Sequence, residues 1–211
     1  MKIKAILFDM DGVLIDAKDW HYEALNRALR LFGMPISRLD HLTSFDGLPT
    51  LRKLELLTLE RSLPKELHLF INEMKQKYTM EIVHTQCKPR FIHEYALSSL
   101  KDKGYKLAVC SNSVRNTVET MMQRSALSNY LDFMMSNEDV INGKPDPEMY
   151  VQTMKYFALK PTECLIVEDN ENGIKAARAS GAHLLAVKKT TEVNLNNILH
   201  RISEIECGVT V

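Results

Sequence analysis

Two aspartates are the residues of this chain best placed to do chemistry. Asp9 and Asp11 follow the apolar run Ile3–Phe8, one residue apart, and Gly12 comes directly after them. A buried strand followed at once by acids places those acids at the strand's carboxyl end, where open α/β sheets hold their ligands. The alternative is that both acids merely cap the next turn. Groups elsewhere in the chain decide between the two interpretations.

Three other predicted strands also end in polar groups. The strand Lys106–Cys110 is followed by a hydroxyl and an amide, Phe133–Ser136 leads through a loop to a lysine between Gly and Pro, and Glu163–Val167 is followed by two acids. Because parallel strands present their carboxyl ends at one edge of the sheet, we expect these groups to converge on a single crevice. The groups are Asp9, Asp11, Ser111, Asn112, Lys144, Glu168 and Asp169.

The chemistry of these groups suits a phosphate ester and a cation. Asp9, Glu168 and Asp169 would repel one another unless a cation joined them, and Mg²⁺ prefers such oxygen ligands. Ser111, at the start of a predicted helix, can bind an anion, and Lys144 adds a compact positive charge. A carboxylate can then attack phosphorus, and water resolves the aspartyl-phosphate. Glu168 has an alternative role, supporting the ligands without touching the metal.

Two kinds of pattern divide the chain. From about residue 85, helical stripes alternate with short apolar strands, which predicts right-handed βαβ units and a doubly wound, mostly parallel, Rossmann-like α/β sheet. Residues 17–84 show helical periodicity only. We therefore expect a core formed by residues 1–16 and 85–211, with an all-helical cap domain, residues 17–84, inserted after the first strand.

Composition and charge exclude several classes of protein. Lys plus Arg and Asp plus Glu each number 27, so no basic field predicts a nucleic-acid partner. No apolar run approaches the roughly 20 residues of a membrane span. The N-terminus does not resemble a secretory signal, and the scattered cysteines predict buried thiols. We expect a cytoplasmic protein that is a monomer or a weak homo-oligomer.

Four motifs together resemble the haloacid dehalogenase (HAD) superfamily, specifically its helical-cap (C1) phosphatases and β-phosphoglucomutase-like members. The resemblance covers essentially the whole chain. It consists of D-x-D-G-V-L at Asp9–Leu14, a hydrophobic residue followed by S-N at Cys110–Asn112, G-K-P-x-P at Gly143–Pro147, and E-D-x-x-x-G-I-x-A-A at Glu168–Ala177.

The resemblance implies a role for each residue of the crevice. Asp9 would be the nucleophile and a Mg²⁺ ligand, and Asp11 the general acid–base, with its backbone carbonyl also on the metal. Ser111 and Lys144 would bind the transferring phosphoryl group. The metal shell would be completed by Asp169 with Glu168. For two neighbouring residues, Asn112 could touch substrate or fix its loop, and Ser113 is expected to cap the following helix.

The predicted cap offers candidate substrate contacts. A loop that contains Gly47 runs into a helix carrying Thr50, Arg52 and Lys53, and in related enzymes the corresponding loop meets the substrate. The alternative for Arg52 and Lys53 is a solvated helix face beside Glu55. His21 matches a hinge histidine of many capped members, or it could simply lie at the surface or pack within the cap.

These observations predict a Mg²⁺-dependent phosphomonoester hydrolase. Its partner would be a small phosphorylated metabolite, such as a sugar phosphate, processed through a phospho-aspartate. A hexose phosphomutase is the alternative, but Thr50 stands where the mutase has an arginine, which favours hydrolysis. A receiver-like phospho-acceptor or an idle regulatory module on the same fold is a third possibility.

Overall fold

The computed structural model describes residues 2–45 and 48–208. The chain divides into two compact units. One, the core unit, consists of Met1–Asp16 and Cys87–Val211, and the other, the helical unit, consists of Ala17–Gln86.

A parallel sheet forms the centre of the core unit. Its five strands are β1 (Ala5–Phe8), β2 (Lys106–Cys110), β3 (Phe133–Met135), β4 (Cys164–Glu168) and β5 (His183–Ala186), in the order β3-β2-β1-β4-β5. All neighbours pair in parallel, and Phe8 at the end of β1 lies opposite Val109 and Val167. The central strands β1 and β4 are buried along their whole length, as expected of a sheet covered on both faces.

Five helices of the core unit accompany the sheet: α5 (Phe91–Asp102), α6 (Arg115–Arg124), α7 (Glu148–Tyr156), α8 (Glu171–Ala179) and α9 (Leu195–Glu206). One apolar cluster joins α7 and α8 to the strands through residues such as Leu7, Tyr150, Ile166 and Ala177. The predicted strand Glu163–Val167 is displaced by one position, because Glu163 belongs to a 3-10 turn and Glu168 ends β4. Glu168 is therefore a buried strand residue.

The helical unit contains α1 (Lys18–Arg30), α2 (Arg38–Asp40), α3 (Thr50–Arg61) and α4 (His68–Gln86) among the described residues. A separate apolar cluster of Leu25, Leu29, Leu54, Leu57 and Ile71 holds α1, α3 and α4 together. Most of the predicted helical stripe is thus the buried face of α1, α3 and α4. Two residues of that stripe, Leu51 of α3 and Phe70 of α4, are instead exposed. Gly47, predicted to contact substrate, lies outside the described residues.

Within the ranges 2–45 and 48–208, every helix is too short or too polar to cross a bilayer.

Candidate active site

Asp9 and Asp11 lie at the carboxyl end of β1, where backbone hydrogen bonds fix the chain on either side of them. The Asp9 N–H donates to the Val167 carbonyl at 3.0 Å, which extends the ladder between β1 and β4 by one residue. The Met10 carbonyl then accepts from the N–H groups of Leu14 and Ile15. Gly12 adopts a φ of 88°, a conformation that costs an L-residue with a Cβ appreciable strain.

Lys144 lies at the centre of the site and is only 4% exposed. Its Nζ donates to Asp9 Oδ1 at 2.5 Å, to Glu168 Oε1 at 2.7 Å and to the Cys110 carbonyl at 2.8 Å. These three contacts join the ends of β1, β2 and β4. Burial opposes the charged form of Lys144, but Asp9 and Glu168 outweigh it and raise the pKa of Lys144 above its ordinary value. The ammonium therefore stays charged.

Asn112 fixes the loop that carries Lys144. Its side-chain amide donates to the Lys144 carbonyl at 3.0 Å and accepts from the Lys144 N–H at 2.9 Å. A Cβ at Gly143 would come within 2.7 Å of Asn112 Oδ1, so the glycine permits this close approach. Two roles were open for Asn112, contact with the substrate and fixation of its loop. The hydrogen bonds in the structure correspond to fixation of the loop.

Glu168 is completely buried and accepts hydrogen bonds on both oxygens. Oε1 accepts from Lys144 and from the Tyr150 hydroxyl at 2.6 Å, and Oε2 accepts from the Asp169 N–H at 3.1 Å. Gly173, in the first turn of α8, lies so close that an added Cβ would come within 2.1 Å of either carboxylate oxygen. The Glu168 carboxylate is thus held in place by contacts from three parts of the chain: the loop that carries Lys144, helix α7 and helix α8.

A cluster of carboxylate oxygens at this edge fits a divalent cation. One oxygen each from Asp9, Glu168 and Asp169 lie within 4.8 Å of one another. Burial, with Glu168 and Asp11 nearby, raises the pKa of Asp9 well above its usual range, although Lys144 opposes that shift. The single ammonium group of Lys144 therefore does not neutralise the negative charge of these acids. Hard oxygen donors that carry a surplus of negative charge suit Mg²⁺.

Ser113 does not cap α6, contrary to expectation. The N-cap residue of α6 is Val114, because its backbone is the extended one that precedes the helix, and it forms no side-chain cap. The Ser113 hydroxyl instead donates to Asp11 Oδ2 at 3.1 Å, and the Ser113 N–H donates to Ser111 Oγ at 3.1 Å. Ser111, which is buried, thus belongs to the same hydrogen-bonded group as Asp11.

The predicted substrate residues of the helical unit have varied surroundings. Thr50 opens α3 and is half-buried, and His21 is a half-buried residue of α1. Arg52 is exposed and pairs with Glu55 at 2.7 Å, as its alternative interpretation has it. Lys53 is buried, so the solvated alternative is wrong for that residue. Substrate binding by these residues and by Gly47 stays a prediction.

Two residues that contact the site were not identified from the sequence. The position of Tyr150 in the apolar stripe of α7 predicts a core residue. Its spacing does not predict that the hydroxyl is directed at Glu168. Gly173 does carry a signal, because an isolated glycine inside a helical pattern often marks close packing. This glycine belongs to the motif at Glu168–Ala177, and its close approach to the Glu168 carboxylate explains why a residue without a side chain stands there.

The parallel sheet and the acids and lysine at its edge define the class of protein, an α/β protein with a site suited to a phosphate ester. The chain belongs to the haloacid dehalogenase-like hydrolase family, whose profile matches residues 6–187. The predicted family, the predicted fold class and the predicted enzyme class, a HAD-like phosphatase, are therefore confirmed.

Named relatives agree with this assignment, and a solved structure shares the fold. The chain is 30% identical over 184 residues to a phosphorylated carbohydrates phosphatase from Thermotoga maritima, covering 85% of this chain and 82% of the relative. It is also 30% identical over 181 residues to a phosphoglycolate phosphatase from Aquifex aeolicus, with coverage of 85% and 82%. The crystal structure of β-phosphoglucomutase from Clostridium difficile has a similar fold, with a TM-score of 0.82, 22% identity and coverage of 97% of this chain and 99% of that chain.

Proposed function

We propose that this phosphatase is a Mg²⁺-dependent phosphomonoester hydrolase that acts through a phospho-Asp9 intermediate. The observation that carries the proposal is the buried contact of Lys144 with Asp9 and Glu168, beside the oxygen cluster that includes Asp169. Such a site offers a nucleophile together with positive charge for a phosphoryl group. The substrate class we propose is a small phosphorylated metabolite, specifically a sugar phosphate, since one relative is named a phosphorylated carbohydrates phosphatase.

In the first step an Asp9 oxygen bonds to phosphorus while the bond from phosphorus to the substrate oxygen breaks. Asp11 gives its proton to that leaving oxygen. In the second step a water oxygen bonds to phosphorus, the bond from phosphorus to Asp9 breaks, and Asp11 takes a proton from the water. Inorganic phosphate leaves, and both aspartates return to their starting states. Acid–base help of this kind contributes roughly 10²–10⁴ in rate.

Lys144 and Ser111 would stabilise the negative charge on the transferring group. The three N–H donors of Lys144 are directed at Asp9, Glu168 and the Cys110 carbonyl, so its ammonium is a positive charge in a fixed position that would act on the phosphoryl group electrostatically. Asp9, Asp169 and the backbone carbonyl of Asp11 would hold the Mg²⁺ ion, with Glu168 adding its charge from the buried side. When bound, the ion would neutralise the phosphoryl oxygens and lessen the repulsion between them and Asp9.

Hydrolysis of a phosphomonoester panel with Mg²⁺ tests this proposal. We expect Asp9→Asn to abolish phosphate release, because an amide is a poor nucleophile, whereas Asp102→Asn, at an exposed position on α5, should leave it unchanged. Trapping of phosphate on the wild-type chain alone would support the covalent intermediate. Undiminished hydrolysis by Asp9→Asn would refute it.

The same panel separates the two alternatives. A hexose phosphomutase would accumulate isomerised sugar phosphate and require a bisphosphate, whereas the hydrolase releases free phosphate. A phospho-acceptor or regulatory module would keep the phosphoryl group without turnover.

We also propose that the enzyme works in the cytoplasm as a monomer or weak homo-oligomer, without a nucleic-acid or membrane partner. The equal numbers of acidic and basic residues support this, as do the thiols of Cys87, Cys110 and Cys164, which are buried.

A further inference from the structure

The side chain of Asp11 is held by a residue far away in the sequence. Ser113 Oγ donates to Asp11 Oδ2 at 3.1 Å, across 102 positions of the chain. The terminal torsion of an aspartate is broad, so the backbone alone does not orient its carboxyl group. A donor on one oxygen restricts this rotation.

Ser113 is itself fixed on both sides of its peptide. Its N–H donates to Ser111 Oγ at 3.1 Å, and its carbonyl accepts from the Asn137 N–H at 3.1 Å. Asn137 follows Ser136, whose N–H and hydroxyl both donate to Asp139 Oδ2. The loops after β2 and β3 therefore set the position of the Ser113 hydroxyl.

The turn that contains Asp11 is fixed by the backbone groups on either side of it. Gly12 N–H donates to the Ile15 carbonyl at 2.6 Å, and Leu14 and Ile15 both donate to the Met10 carbonyl. Because the backbone of this turn is fixed, the Asp11 carboxyl group can change its orientation only through its side-chain torsions. The hydrogen bond from Ser113 restricts those torsions.

We propose that Ser113 is a positioning residue that holds the Asp11 carboxyl group in the orientation required for proton transfer. The proposal rests on the proposed function, in which Asp11 gives a proton to the leaving oxygen and later takes one from water. Ser113 keeps its own proton in both steps and does not touch the reacting phosphorus. Because its N–H donates to Ser111 Oγ, Ser113 would also align the acid–base with the phosphoryl site.

A double-mutant cycle with 4-nitrophenyl phosphate tests this role. Nitrophenolate departs without help from an acid, so with this substrate Asp11 acts only in the second step, in which it takes a proton from water. Asp11→Ala should therefore slow that step but keep a measurable residual rate. We expect Ser113→Ala to lower kcat about tenfold with little change in KM, as the loss of one hydrogen bond to a charged group predicts. Ser113→Thr, which keeps a hydroxyl, should recover most of the rate. Once Asp11 is alanine, Ser113→Ala should have no further effect.

Controls separate positioning from folding. Ser98→Ala removes a hydroxyl that donates within its own helix, to the Tyr95 carbonyl, and should leave kcat unchanged. Circular dichroism and thermal unfolding should show Ser113→Ala folded, since Ser113 caps no helix. If Ser113→Ala leaves kcat unchanged, or slows the Asp11→Ala variant by the same factor as the wild type, the positioning role is wrong. Full activity of Asp11→Ala would instead refute the proposed function.

Discussion

The hydroxyl of Tyr150 completes the set of donors around Glu168. A carboxylate with no exposure is costly to bury unless it is paired and hydrogen-bonded. Lys144 supplies the charge, and Tyr150 adds a second donor on the same oxygen, at 2.6 Å. Tyr150 is itself fully buried, and burial together with Glu168 raises the pKa of its hydroxyl well above the usual value, so the hydroxyl remains a donor.

Tyr150→Phe should therefore lower both stability and turnover. The ring keeps its place in the core, but Glu168 loses one donor, which costs about 1.5–3 kcal/mol for a bond to a charged group. We expect a lower free energy of unfolding in urea and a reduced kcat, since Glu168 helps to hold Lys144. Tyr156→Phe, at an exposed tyrosine of the same helix α7, is the matched control. Equal stability of both variants would show that the Tyr150 hydroxyl contributes nothing.

At the scale of elements, the carboxyl ends of the strands were predictable from the sequence. Apolar runs with polar residues directly after them identify strand ends, and parallel pairing brings those ends together. We therefore expect Asp9, Lys144 and Asp169 at one edge of the sheet, and in the structure these residues lie together there. The period of the apolar pattern and the position of the acids suffice for this prediction.

Other features depend on geometry that residue types do not encode. Ser113 is a preferred N-cap type, but capping requires extended backbone at the residue itself, and Val114 occupies that position. Helix α9, however, has a sequence signal of its own, because Ile198, Ile202 and Ile205 form a buried stripe and Asn194 caps its start. The partners of Tyr150, by contrast, follow only from tertiary packing.

Another contact between elements involves a buried histidine. His93 of α5 lies 2.9 Å, through Nε2, from the Thr190 carbonyl, and Arg90 of the preceding turn donates to the Thr190 hydroxyl at 2.7 Å. Burial lowers the pKa of His93, Arg90 adds to this, and backbone hydrogen bonds with Thr190 and Leu14 oppose it. The net result favours the neutral imidazole in the folded chain.

The stability of the chain should therefore fall as the pH drops below the ordinary histidine pKa of about 6.5. Below that value the unfolded chain binds a proton that folded His93 resists, so protonation favours unfolding. We expect the free energy of unfolding in urea to decline from about pH 8 to about pH 5.5, and His93→Gln to flatten this decline. His200→Gln, at an exposed histidine, should keep the wild-type slope. Identical slopes for all three proteins would contradict a role for His93.

At the scale of the whole molecule, the charged groups of the site all belong to the core unit. That unit is built from two separated segments of the chain, Met1–Asp16 and Cys87–Val211. Asp9 comes from the first segment, whereas Lys144, Glu168 and Asp169 come from the second. A cation held by Asp9 and Asp169 would join the two segments, and the unfolded chain has no equivalent site.

Mg²⁺ should therefore raise the melting temperature of the intact protein. A ligand that binds only the folded state at 100 times its Kd adds about 2.7 kcal/mol, and each kcal/mol raises Tm by roughly 2–4 °C in a chain of this size. We expect a rise of about 5–10 °C on that basis, measured by thermal unfolding against NaCl of equal ionic strength to exclude screening. Asp169→Asn should lose most of the rise, and Asp102→Asn should retain it. A wild-type protein with unchanged Tm would count against the metal site, whatever the activity measurements show, because this readout does not depend on turnover.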